Sequence, residues 1–210
     1  MYELLTVITG VGDSAAMLPA GAGLMLWLVI NGMRRDAVLL FAVLGAGAAV
    51  VLATKLAFLG WGLGIPALRF AGISGHAMLA CSIMPIAAYF ISRRAGVRTR
   101  IAAALLGFAV GVAIGISRVA LSAHSWSEIV AGCALGGLVA LVYLRFAWLP
   151  LRAAFNWWPI IGAGATVLIA ALAGVRAPSE HLIVQMALHL SRHDEPYARP
   201  GPVGAAASGS

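Results

Sequence analysis

Apolar residues run through this chain in long stretches broken by short polar clusters, a helical pattern unlike the alternation of half-buried strands. A first span reaches about Ile30, with Pro19 expected in its opening turn, where a missing N–H costs nothing. The turn from Asn31 to Asp36 leads into a second span, Ala37 to about Leu59, carrying Lys55 near its end. The segment Gly60-Trp61-Gly62-Leu63-Gly64-Ile65-Pro66 breaks that helix. Ser74-Gly75-His76 opens a third span, to about Ser92, with Pro85 as an expected kink. Arg93, Arg94, Arg98 and Arg100 share the loop that follows. The fourth span, Ile101 to Ile116, lines up Gly107, Gly111 and Gly115 on one stripe, where another backbone can come close. The fifth, from near Ser125 to Phe146, repeats the stripe with Gly132 and Gly136. A sixth runs from about Trp157 to Val175. All are near the short end of the roughly 17–25 residues that cross a bilayer.

Beyond these spans the pattern changes. Ser179 can cap a helix in which Leu182, Ile183, Met186, Ala187 and Leu190 share one face, opposite His181, Gln185, His189 and Arg192. That predicts a surface helix lying on the membrane or on the bundle. Residues 1–176 therefore read as an all-α, polytopic transmembrane helical bundle of about six spans, beginning with a short interfacial stretch. Residues 177–194 read as an amphipathic surface helix and 195–210 as a disordered tail.

Composition agrees with the spans. Hydrophobic residues fill 62% of 210 positions and charged residues 10%, with a mean hydropathy of +0.98. Soluble domains carry about 25% charged residues. The net charge of +7 is gathered in short clusters between apolar runs, which argues for membrane topology and against nucleic acid. Cys81 and Cys133 fall in separate spans and read as buried free thiols. Glu3 and Asp13 around the first apolar run speak against a cleaved signal peptide. His189 and His193 have metal-ligand spacing but no accompanying carboxylate or cysteine set, so no metal site is expected.

Alternating the spans puts eight basic residues, Arg34 to Arg152, in one set of loops and six in the other. The positive-inside bias makes the richer set cytoplasmic. Lys55, Ser74 to His76, Arg118 and His124 then all reach the opposite face.

The stretch from Ser117 to Glu128 is a polar island between apolar segments, and ionisable groups so placed point to function. His124 and Glu128 are four apart; on a helix they share a face, and the carboxylate can reach the imidazole. Such a carboxylate fixes the tautomer and leaves the other ring nitrogen free as base or nucleophile. Arg118 offers a planar cation to an anion such as phosphate. Ser74 is a good N-cap, and the N–H groups of the helix start at Gly75 and His76 can receive a phosphate oxygen. Lys55, the sole lysine, completes a phosphate cradle. Two histidines suit phosphoryl transfer, one attacking phosphorus and the other protonating the departing oxygen. No aspartate-rich magnesium site is visible, so the cations would neutralise transition-state charge and no cofactor is expected.

These residues resemble the type 2 phosphatidic acid phosphatase (PAP2) superfamily, whose motifs are K-x6-R-P, P-S-G-H and S-R-x5-H-x3-D. Ser117, Arg118 and His124 match the third motif and Ser74-Gly75-His76 the second, over roughly Lys55 to Gly132. The resemblance implies a metal-independent phosphatase with His124 as nucleophile and His76 as general acid. Lys55, Ser74, Gly75 and Arg118 would hold the phosphate. Ile73 stands in place of a proline, and Glu128 in place of the aspartate with its carboxylate kept. Gly62 stands where the first motif has arginine, and Arg69, in the same inter-span segment, is the candidate to replace it; the other reading of Arg69 is an interfacial cation. The expected function is hydrolysis of a lipid phosphate or diphosphate at the outer face of a membrane, with the bacterial inner membrane and its periplasmic side implied. Phosphotransfer to a lipid or sugar hydroxyl and a non-catalytic lipid-binding bundle are the alternatives. The expected partners are a lipid phosphate substrate and membrane lipids.

Overall fold

The computed structural model describes residues 14–121, 123–147, 158, 161–162, 164–165 and 179–198. Among them every regular element is helical: α1 (Ser14–Ile30), α2 (Arg34–Trp61), α3 (Gly75–Ile91), α4 (Val97–Ala120), α5 (Trp126–Phe146) and α6 (Ser179–Ser191). One turn of 3-10 helix at Pro66–Leu68 lies in the loop between α2 and α3. By length and composition α2, α4 and α5 can cross a membrane, and α1 and α3 are shorter apolar helices. The expected sixth span lies almost wholly outside the described residues, as does most of the tail.

Helix α3 is the buried axis of the bundle, with eleven of its residues shielded from solvent. Seventeen residues at about 1.5 Å each fall short of a roughly 30 Å hydrocarbon layer, and α3 meets its neighbours more than lipid. The two glycine stripes explain how they approach. A Cβ at Gly111 would stand 2.9 Å from the backbone of Ala80 and Cys81, and one at Gly132 would stand 2.6 Å from the Ser74 carbonyl. Helices α4 and α5 thus close on α3 backbone to backbone, as the spacing predicts. At the arginine-rich end Phe90 anchors the core, with ring centroids 5.5 Å from Trp27 and 6.0 Å from Tyr143.

Two expectations need correcting. Pro19 lies inside α1, not in its first turn, because helix-forming Ala15 to Leu18 carry the helix further back. Helix α4 is longer than its apolar stretch, so Arg98 and Arg100 sit in its first turn and Ser117 and Arg118 in its last. The long arginine side chains let polar turns extend the helix beyond the hydrocarbon. On helix α6, Ile183 and Ala187 face inward, whereas Leu182, Met186 and Leu190 are each about half exposed. Its narrower edge meets Gly60 on α2, where Ala187 and Ser191 come close.

Candidate active site

The site lies where α2 ends and where α3 and α5 begin. Gly72, at φ 126°, lets the chain pass against α2: a Cβ there would stand 3.1–3.2 Å from Lys55 atoms, its backbone N and Cα among them. Ser74 then caps α3, and its own N–H donates to the Glu128 carbonyl at 3.2 Å, tying the two helix starts together.

Glu128 is the hub. It is fully buried, and its Oε2 accepts from His124 Nδ1 at 2.7 Å and from the Ser125 N–H at 3.3 Å. Its Oε1 accepts from the Ala71 N–H at 2.9 Å, so one carboxylate binds the loop before α3 to the loop before α5. The expected pairing of His124 with Glu128 is present, but not on a shared helical face. Ser125 is the N-cap, His124 precedes it, and Glu128 closes a capping box on Ser125. The carboxylate of that box reaches back one residue further to the imidazole. Ser125-Trp126-Ser127-Glu128 carries the capping-box spacing, the signal in the sequence that would have given this geometry.

A carboxylate only accepts, so Nδ1 of His124 carries the proton and Nε2 keeps its lone pair. That Nε2 is buried and has no hydrogen-bond partner among the described residues. Burial holds the His124 pKa below its usual 6.5; the charges of Lys55 and Arg118 push the same way, against the opposing pull of Glu128. Near neutral pH the ring is therefore an uncharged nucleophile or base. His76, at the start of α3, has its ring centroid 6.4 Å from that of His124, and both histidines are 7% exposed.

A cavity of about 370 Å³ opens beside His124, bounded by Lys55, Ala71, Ala123, Glu180 and Ile183 among others. It shares Lys55, Glu180 and Ile183 with a second space of about 150 Å³ that includes Gly75 and His76. Through Leu18, Ala48 and Leu79 that space meets a third, apolar one of about 250 Å³ between α1, α2 and α3. Together they make a trench from the polar groups down α2 to Phe41, about 21 Å along the helix axis at its usual rise.

The structure thus brings together Lys55, Ser74, Gly75, His76, His124 and Glu128, with Arg118 half-buried in the last turn of α4 and close enough for its charge to act on His124. Arg69, exposed and at φ 50°, borders a neighbouring cavity of about 150 Å³ that shares Phe58, Ala71, Tyr197 and Ala198 with the one at His124. Sequence reasoning missed Glu180, which lies against the main cavity and forms an ion pair with Lys55 at 3.8 Å. A lone acidic residue at a helix start carries no signal that would single it out. Among the described residues no three of His, Cys, Asp and Glu stand close enough to hold a metal ion.

The PAP2 superfamily profile matches residues 65–152, a segment that contains both histidines. Over 200 residues the chain is 34% identical to a protein described as an uncharacterized 22.5 kDa protein in the cps region of Klebsiella pneumoniae, covering 92% of this chain and 94% of that one. The chain belongs to the PAP2 superfamily. PAP2 proteins are phosphatases, and membership supports phosphoester hydrolysis by this chain. Its apolar helices associate it with a membrane. No solved structure gives a significant match.

Proposed function

We propose that this PAP2 protein hydrolyses a lipid phosphate or diphosphate at the outer face of a membrane, through a phosphohistidine intermediate. One observation carries the reading: a buried imidazole with Nδ1 held by Glu128 at 2.7 Å and an Nε2 without a partner among the described residues, beside a cavity that Lys55 also borders. Nε2 of His124 attacks phosphorus and the P–N bond forms as the bond to the lipid oxygen breaks. His76 gives that oxygen its proton. Water then attacks the phosphoryl group, His76 takes a proton from it, and the P–N bond breaks to release inorganic phosphate. Lys55, Arg118 and the N–H groups at Gly75 and His76 meet the charge on the transferring oxygens. The apolar trench supports a lipid as the carrier of the phosphate, since its far end is lined by Met17, Leu44 and Ile83. The richer arginine clusters at the other end of the spans support an outer-face site, the periplasmic side if the membrane is a bacterial inner membrane.

The test is phosphate release from a panel of lipid phosphates by the purified chain in detergent, with acid-labile phosphoryl labelling of parent and His124→Ala. Release by the parent and loss of both signals in the variant are expected. Labelling that persists in His124→Ala would overturn the assignment of the nucleophile, and transfer to a hydroxyl acceptor without release would make the protein a phosphotransferase.

A further inference from the structure

Helix α6 reaches the site by an uneven attachment. Its C-terminal end is strapped to the end of α2. Nδ1 of His193 is 2.9 Å from the Gly60 carbonyl, and the Tyr197 N–H donates to the Leu59 carbonyl at 3.0 Å. The Tyr197 ring lies over Gly62, where a Cβ would meet it at 2.9 Å. The N-terminal end is held differently. There Ile183 and Val184 are only half-buried, and Glu180 reaches Lys55 across 3.8 Å. The Glu180 side chain is 66% exposed and that of Lys55 17%, so the carboxylate comes to the ammonium from the solvent side. Glu180 borders both the cavity at His124 and the space at His76. No other carboxylate lines either of them among the described residues.

We propose that α6 is a substrate-displaced lid, in which Glu180 stands as an internal anion on Lys55 until a phosphate takes its place. This rests on the reading that the cavity receives a phosphoryl group. An exposed ion pair of this length contributes little, because water screens it and two side chains must be held still to make it. A phosphate bearing up to two charges outcompetes one carboxylate for the same ammonium, and the freed end of α6 swings on the strap at His193 and Tyr197. The lid covers the ammonium of an empty site and opens when the anion arrives.

Orthovanadate, titrated calorimetrically into the full chain in detergent, reads the competition without requiring turnover. Glu180→Gln keeps the shape and removes the charge, and it should bind vanadate about two- to fivefold more tightly than the parent, the worth of one exposed ion pair. In the parent, vanadate should speed backbone amide exchange over residues 180–188 and leave Tyr197 protected. Equal vanadate affinity in Glu180→Gln would overturn the proposal. So would unchanged or slower exchange in α6 with vanadate bound, which would make the helix a fixed wall or a closing clamp. If vanadate behaves as expected and no lipid phosphate is turned over, the lid stands and the phosphatase reading fails.

Discussion

Replacing Glu128 with Gln removes one charge and almost no volume, so the result reads the chemistry of the hub and not its packing. The carboxylate accepts from His124 Nδ1 at 2.7 Å, from the Ala71 N–H at 2.9 Å and from the Ser125 N–H at 3.3 Å. An amide has one oxygen to offer. Of the two backbone donors Ala71 makes the shorter bond, 2.9 Å against 3.3 Å for Ser125, so the amide oxygen turns to Ala71, the Ser125 N–H loses its acceptor and the NH2 faces the imidazole. That NH2 donates to Nδ1, which forces the proton onto Nε2 and takes away the lone pair proposed to attack phosphorus. To react, His124 must return to the minor tautomer. It then loses a charge-assisted bond worth about 1.5–3 kcal/mol and sets two buried donors against each other for about 1–3 kcal/mol more. The sum, about 2.5–6 kcal/mol, corresponds to a loss of roughly 10²- to 10⁴-fold in kcat. The assay is phosphate release from a lipid phosphate in detergent, with helicity and thermal midpoint measured on the same sample. A variant that stays folded and keeps more than about a tenth of the parent rate would refute the orienting role of Glu128.

Three further outcomes follow from the same geometry. Because the His124 pKa lies below 6.5 and the ring must be neutral to attack, kcat/KM should fall with acid only below that pH; Lys55→Met removes a charge that lowers the pKa and should move the acid limb upward, so a parent limb at or above 6.5 or a downward shift counts against it. Arg69→Gln should change turnover by less than about threefold, as expected for an exposed side chain outside the His124 cavity, whereas a loss beyond about tenfold would place its guanidinium on the substrate. Gly132→Ala would put a methyl 2.6 Å from the Ser74 carbonyl and 2.9 Å from Ala77 Cβ, forcing α5 off the start of α3; a loss of about 1–3 kcal/mol in stability is expected, and an unchanged thermal midpoint would show that the two starts are not locked together.

The sequence by itself determined the helical class, the location of the breaks and the close approach of two glycine stripes. Each of these depends on local composition: apolar runs make spans, Gly and Pro interrupt them, and a missing Cβ is visible at every fourth position. It also singled out the groups proposed to carry the chemistry, since His76, His124 and Glu128 stand at motif spacing that survives without coordinates. Tertiary structure alone decided how they work together. That Glu128 ties Ala71 to His124 depends on a contact across 57 positions of chain, which no periodicity records. The identity of α3 as the buried axis and the arrival of Glu180 at Lys55 have the same origin. A helix built of apolar residues all round gives no preferred face, so its neighbours choose one. Opposite charges far apart in sequence meet only where those choices bring them.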